Sequence, residues 1–306
     1  MERGVVKEIM RIGTRGSELA LWQARHAADM IGKDRTEIVI IKTQGDHIQN
    51  LSFDKMEGKG FFTKEIEHAL LAGHIDVAVH SMKDLPTDEV EGLKIIAVIE
   101  RDDPSDVILI REECYQPENS PPLSDSAVIG TSSLRRAAQL RHRMNTLTVE
   151  PLRGNVTTRV RRLREKRYDA VVLAKAGIRR LDLDVGGLEI FDLPFEYFLP
   201  APAQGALAIQ IRDDGGPEEE LLRLNHRETE LAVFAERFFL KFFGGGCHIP
   251  LGAYAEVQGD EISLSGVVAS VDGKKLIRRA ARGRSPEEVG EQLARLMKEE
   301  GAEALI

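Results

Sequence analysis

The strongest constraint on how this chain can fold is an internal echo. Ile12-Gly13-Thr14 returns as Ile129-Gly130-Thr131, and each triplet precedes a serine suited to capping a helix. Lys59-Gly60-x-x-Thr63 returns 94 residues later as Arg153-Gly154-x-x-Thr157. Asp76-Val-Ala-Val returns after 93 residues as Asp169-Ala-Val-Val. The near-equal spacing of the last two signals, with the triplets repeated in the same order, points to a duplicated α/β unit, although apolar strands also recur by chance in any α/β protein. At 306 residues the chain exceeds one typical core, which leaves room for two or three domains.

In the first unit Met10 to Thr14 reads as a strand. Ser17 then caps a helix running to about Met30, with Gly32 as its stop. Glu37 to Lys42 is a second strand, and Asp54 to Gly60 reads as a mobile loop. Phe61 to Leu71 has helical spacing, and Ile75 to Val79 is a buried strand by its nearly unbroken apolar run. Leu199 to Gly205 looks like a crossing segment, after which Ala206 to Ile211 is a strand able to return to the first unit. The tail changes character. A helix starts at Asn225, with Glu228 at the capping-box position, and stops at Gly244-Gly245-Gly246. A hairpin turns at Asp272-Gly273, and Ser285-Pro286 opens a last helix. The expected fold class is α/β, with two similar domains and a small α+β C-terminal domain. The boundaries expected are 1–103 with 204–222, then 104–203, then 223–306.

Charge narrows the ligand. The formal net charge is −8, which argues against a general nucleic-acid binder. Yet Thr131 to Arg180 alone carries +11, leaving −19 for the rest. A basic face on an acidic protein suits a bounded anionic ligand. Two distant cysteines, Cys114 and Cys247, do not make a disulfide framework, and a reducing cytoplasm is the expectation. No apolar run approaches the roughly 20 residues of a membrane helix, and no export or targeting segment is read at the N-terminus.

Ligands of open α/β sheets bind where strands end and helices begin, because free amides and the helix dipole favour anions there. Three such junctions are loaded: Thr14-Arg15-Gly16-Ser17, His80-Ser81-Met82-Lys83-Asp84, and Thr131-Ser132-Ser133-Leu134-Arg135-Arg136. Ordinary capping and solvent-facing charge explain any one of them about as well as a ligand does; three together favour an anion cleft. Arg135 and Arg136 sit in a first helical turn, where the dipole disfavours cations, and that placement makes sense if they face anions. Arg153, Arg159, Arg179 and Arg180 follow, each able to hold a carboxylate bidentately. The other arginines of the Arg159 to Arg167 run read as a solvated face. Asp84 could stabilise a developing cation or shuttle a proton, although a turn aspartate or salt bridge is the commoner case. Cys247 follows three glycines, an exposed setting for a covalent attachment point, although most free cysteines are simply buried. Cys114 has no comparable setting, and no metal-ligand spacing appears.

Taken in order, these strings resemble the porphobilinogen deaminase family from about Arg11 to Arg282. They are Arg-Ile-Gly-Thr-Arg at Arg11, Gly-Lys-Gly-Phe-Phe at Gly58, His-Ser-Met-Lys-Asp at His80, Gly-Thr-Ser-Ser-Leu-Arg-Arg at Gly130, Arg-Gly-Asn-Val at Arg153, and Gly-Gly-Cys ending at Cys247. The resemblance implies a cytoplasmic, monomeric transferase of tetrapyrrole (heme) biosynthesis. It joins four porphobilinogen molecules head to tail, releases ammonia at each step, and frees hydroxymethylbilane by hydrolysis. It implies a dipyrromethane cofactor linked to Cys247 and a catalytic role for Asp84. Lys83, Asp84, Ser133, Arg135 and Arg136 match cofactor-binding positions. Arg15, Ser17, Ser81, Arg153, Arg159 and Arg180 match positions that bind substrate carboxylates, and Lys59 belongs to a loop over the cleft. No metal, nucleic acid or membrane is implied. Two positions depart from the family pattern: Ala203 where glycine is common, and Gln210 where an acidic residue is common. His248 carries no assigned role.

Three rival readings remain. The duplicated cleft also resembles that of periplasmic-type solute-binding proteins, which close on small anions; that reading explains neither Cys247 nor the tail. A nucleic-acid binder finds little support in 5% aromatic residues. A thiol hydrolase using Cys247 and His248 would need neighbouring residues of an extended loop to face each other.

Overall fold

The computed structural model describes residues 9–43, 63–214, 218–246 and 249–306. The expected loop 54–60, with Lys59, and the residues Cys247 and His248 lie outside this set.

The first sheet contains β1 (Met10–Thr14), β2 (Thr36–Ile40), β3 (Val77–Ser81), β4 (Leu93–Ile99) and β10 (Leu207–Arg212), in the order β2-β1-β3-β10-β4. The second contains β5 (Asp106–Arg111), β6 (Val128–Gly130), β7 (Thr148–Glu150), β8 (Ala170–Ala174) and β9 (Leu188–Asp192), in the order β7-β6-β8-β5-β9. The two share one plan. Three strands run parallel, and the fourth position is antiparallel to both its neighbours. In each sheet that antiparallel strand is the one the chain enters after crossing from the other sheet. The duplication seen in the sequence is therefore a duplication of topology.

Local chemistry explains the elements. Ser17 caps α1 (Glu18–Ile31), and Ser133 caps α3 (Leu134–Arg143), each side chain accepting a first-turn amide. Asn155 does the same for α4 (Val156–Arg164). The helices α2 (Lys64–Leu71), α5 (Lys175–Arg180) and α6 (Glu218–Leu222) also accompany the two sheets. Because apolar clusters fill both faces of each sheet, central strands such as Val107 to Ile110 are buried throughout and read as continuous apolar runs. The repeated Ile-Gly-Thr has a packing cause. A Cβ on Gly13 would sit 2.2 Å from the Ile75 side chain, and one on Gly130 would sit 2.9 Å from that of Leu152.

The third sheet is an antiparallel meander of β11 (Leu251–Gln258), β12 (Glu261–Ala269) and β13 (Leu276–Gly283). Its apolar face packs on α7 (Arg227–Phe242) and α8 (Pro286–Glu299). The expected hairpin is its β12–β13 pair; β11 was not foreseen, because its glycine and alanines weaken the strand signal. The cap of α7 also differs. His226, not Asn225, accepts the first-turn amide, and Asn225 instead accepts the Val98 amide of β4 at 2.8 Å.

One buried carboxylate ties these parts together. Glu236 of α7 is fully buried and accepts Arg101 Nη1 at 2.7 Å and Nη2 at 3.0 Å. It also accepts the amides of Ala203 (2.6 Å) and Ala255 (2.8 Å). Arg101 Nε donates to the Gln204 carbonyl at 2.8 Å. Both crossing segments are thus held against the third sheet. Ala203 is in the left-handed region, at φ 61°. That conformation costs a residue with a Cβ about 1 kcal/mol, and the Glu236 bond offsets it.

Candidate active site

At the carboxyl ends of β1 and β3 lies a small pocket, lined in part by Arg15, Ser17, Thr63, His80, Ser81 and Asp84. Gln23 reaches in from α1 and donates to Ser81 Oγ at 2.8 Å. Asp84 ends a single 3-10 turn, Met82–Asp84. Arg237 of α7 clamps that turn. Its Nη1 donates to the carbonyls of Met82 (3.2 Å) and Leu85 (3.0 Å), and its Nη2 to that of Pro86 (2.6 Å). A Cβ on Gly245 would lie 2.4 Å from Thr87 Oγ1, so the glycine run preceding residue 247 passes against the segment just beyond Asp84. Sequence reading missed Arg237, because nothing local marks an arginine inside an amphipathic helix as a clamp for another domain.

The opposite wall comes from the second sheet. Arg135 Nη1 donates to Asp106 Oδ2 and to the Leu199 carbonyl, both at 2.7 Å. Arg136 donates to Asp106 Oδ1 through Nη2 (2.6 Å) and Nε (3.1 Å), and to the Val172 carbonyl at 3.1 Å. An anion these arginines face is therefore the protein's own. Asp106 is buried at the start of β5, and sequence reading missed it. The signal available was a carboxylate heading an unbroken apolar strand. Burial would raise the Asp106 pKa, but the charges and hydrogen bonds of Arg135 and Arg136 win and hold it well below the usual carboxylate range.

A polar chain bridges the two walls. Gln204 Nε2 donates to Asp106 Oδ1 at 2.9 Å, and Lys83 Nζ donates to Gln204 Oε1 at 3.2 Å. Burial lowers the Lys83 pKa, with the Arg136 and Arg135 cations adding to the fall and Asp84 and Asp106 opposing it. Arg159 is pushed down to about 10, first by burial and then by the Arg136 cation, against the pull of Asp84. Its side chain keeps some solvent exposure while protein surrounds it, as in the wall of a cleft. Asp84 and Arg159 thus feel each other across the gap between the sheets.

The sequence candidates sort accordingly. Lys83, Asp84, Arg135, Arg136 and Arg159 converge on the cleft, with Ser133 capping the helix that carries two of them. Arg15, Ser17 and Ser81 share the pocket with Asp84. Arg180 is buried at the crossing, donating to the Gly205 carbonyl at 2.5 Å with its guanidinium 5.6 Å from the Trp22 ring of α1. Arg153 is half-buried in the loop before α4, where its backbone carbonyl accepts Arg162 Nη1 at 3.2 Å. Arg161 and Arg167 are exposed and pair with Glu165, as a solvated face would.

Comparison with known proteins bears on this arrangement. The family profile described as "Porphobilinogen deaminase, dipyromethane cofactor binding domain" matches residues 10–219, and "Porphobilinogen deaminase, C-terminal domain" matches residues 230–299. The chain belongs to the porphobilinogen deaminase family. The porphobilinogen deaminase of Syntrophomonas wolfei is 45% identical over 305 residues, covering 97% of either chain. That of Geobacillus kaustophilus is 45% identical over 300 residues, covering 96% of each. Among solved structures, a substrate-binding domain of a putative amino acid transporter from Streptococcus pneumoniae overlaps 71% of this chain and 91% of its own. It does so at 14% identity and a TM-score of 0.42, too loose to bear on function. Within the porphobilinogen deaminase family the cofactor-binding profile spans both five-stranded sheets, the two walls that meet at Asp84.

Proposed function

We propose that this chain condenses four porphobilinogen molecules head to tail on a dipyrromethane primer attached at Cys247, releasing ammonia at each step and then hydroxymethylbilane by hydrolysis. It is a transferase of tetrapyrrole biosynthesis. The observation that carries the site assignment is Asp84 lining the pocket at the sheet ends, with its charge acting on Lys83 and Arg159. Lys83, Arg135, Arg136 and Arg159 bring four positive charges against the carboxylates of Asp84 and Asp106. Each pyrrole of the substrate carries an acetate and a propionate, so an excess of cations suits a growing chain of such rings.

The same observation tests whether the residues fit the cofactor, and they do: a dipyrromethane brings carboxylates of its own to a cleft short of anions. Lys83, Asp84, Ser133, Arg135 and Arg136 would hold it, with Cys247 as the covalent link. When bound, it supplies the pyrrole carbon to which the first substrate is joined. The chain's own residues do the rest. Arg15, Ser17, Ser81, Arg153, Arg159 and Arg180 bind and orient substrate carboxylates, with Lys59 also assigned to substrate binding. Loss of ammonia from porphobilinogen leaves a methylene-pyrrole cation, with the C–N electron pair leaving on nitrogen. The Asp84 carboxylate stabilises that cation through its pyrrole N–H and accepts the proton lost after coupling. Arg237 keeps the Asp84 turn fixed while the chain grows.

The reading extends to a cytoplasmic monomer with neither nucleic-acid nor membrane partner. The acidic net charge of −8 supports the former exclusion. Among the described residues no helix is long and apolar enough to cross a membrane. Domains at 1–103 with 204–222, 104–203 and 223–306 complete the proposal. The small-anion binding alternative rests on fold likeness alone and leaves the third sheet without a task. Incubation with porphobilinogen tests the reading. Ammonia and a bilane should appear in a ratio of four to one; binding without turnover would contradict it.

A further inference from the structure

One buried group in the pocket has no task in the reaction as described. His80 is the penultimate residue of β3 and is 5% exposed, yet it lines the pocket beside Asp84. Its Nε2 lies 3.1 Å from Gln210 Oε1 of β10. The neighbour of Gln210 is Glu67 of α2, which also accepts Thr63 Oγ1 at 3.3 Å. Burial raises the Glu67 pKa, and hydrogen bonds from Gln210 and Thr63 draw it partly back. An amide that turns its NH2 toward Glu67 must turn its oxygen toward His80. Nε2 therefore carries the ring proton, and Nδ1 keeps its lone pair. Burial holds the imidazole neutral, pushing its pKa down to about 4. Among the described residues Nδ1 has no hydrogen-bond partner. His80 lines the pocket, and with Nε2 turned to β10, Nδ1 is the ring nitrogen left without a partner among those residues.

We propose that His80 Nδ1 accepts a hydrogen bond from the primary ammonium of the porphobilinogen aminomethyl group, and that Gln210 and Glu67 hold the ring in the tautomer this requires. The proposal rests on the reading of the cleft given above and adds the group that recognises the leaving amine. An imidazole this weakly basic hydrogen-bonds an ammonium without removing its proton. The ammonium is the form from which ammonia departs, so His80 selects the reactive state of the substrate.

The test compares two substrates on cofactor-loaded enzyme: porphobilinogen and its analogue with hydroxymethyl in place of aminomethyl. His80→Gln keeps a polar group near the Nε2 position, toward Gln210, and loses the acceptor at Nδ1. His80→Asn restores an acceptor near Nδ1. A hydrogen bond to a charged group is worth roughly a tenfold effect or more. His80→Gln should therefore lower kcat/KM at least tenfold for porphobilinogen and less than threefold for the hydroxymethyl analogue. His80→Asn should recover part of the preference. Should His80→Gln not fold, Gln210→Met, which frees the ring, must show the same selective loss. Equal losses on both substrates, or none, would overturn the role of His80 while leaving the enzyme's reaction intact. A wild type inert toward porphobilinogen would instead overturn the underlying reading, and this proposal with it.

Discussion

Asp84 carries the chemistry in this account, and its surroundings separate chemistry from folding. The turn it ends is held by Arg237 through three backbone carbonyls, not through the Asp84 side chain. Asp84→Asn should therefore keep the fold and the bound primer, seen by circular dichroism and intact mass. Its turnover should fall at least about a hundredfold, the usual scale of a lost general acid–base. Normal bilane production would remove Asp84 from the mechanism. Asp106 behaves in the opposite way. Its folded pKa lies below the unfolded value, so it contributes stability that is complete above the unfolded pKa and lost as pH falls through the folded one. Urea midpoints should drop progressively below about pH 5, and Asp106→Asn should flatten that slope. Arg136→Leu leaves the buried Asp106 carboxylate with only Arg135 and Gln204 as partners and should cost about 2 kcal/mol. A variant of unchanged stability would mean that the pair is not buried as described.

At the scale of elements, the crossing segments set the tolerance to change. Ala203 stands at φ 61° with no exposure. Ala203→Gly should change stability by less than about 1 kcal/mol, since relief of the left-handed strain and loss of a buried methyl nearly cancel. Ala203→Val places a β-branched residue at that φ in a closed site and should lose at least about 2 kcal/mol in urea unfolding. A tolerated valine would show that the crossing adapts freely. These elements also show what a sequence makes legible. Ser17 and Ser133 announced their helices, because capping is local. The unbroken apolar runs announced central strands, because both faces of each sheet are covered. The strand β11 did not show itself, and neither did the pairing of Asp106 with Arg135 and Arg136. Small residues in β11 carry a weak periodic signal, and a buried ion pair joins residues about 30 positions apart. Arg135 and Arg136 were read as facing an anion; the structure supplies one from the protein itself, which no spacing rule indicates.

For the whole molecule, three layers of sheet and helix converge on one segment. The first sheet supplies Asp84, the second supplies the arginine wall, and α7 of the third fixes the turn between them. Glu236 holds both crossings to the third sheet, and the β12–β13 turn docks on α3, where the Gly273 carbonyl meets His142 Nδ1 at 2.9 Å. A sequence reveals the duplication and the order of motifs, but this convergence exists only after folding. The central claim is that the chain builds its product on a primer bound through Cys247. The intact mass of the purified protein, beside that of Cys247→Ser, tests it most directly. The account predicts a wild-type excess of two porphobilinogen units, each less ammonia, that is absent from the variant. A wild type of unmodified mass, unchanged after incubation with porphobilinogen, would contradict it.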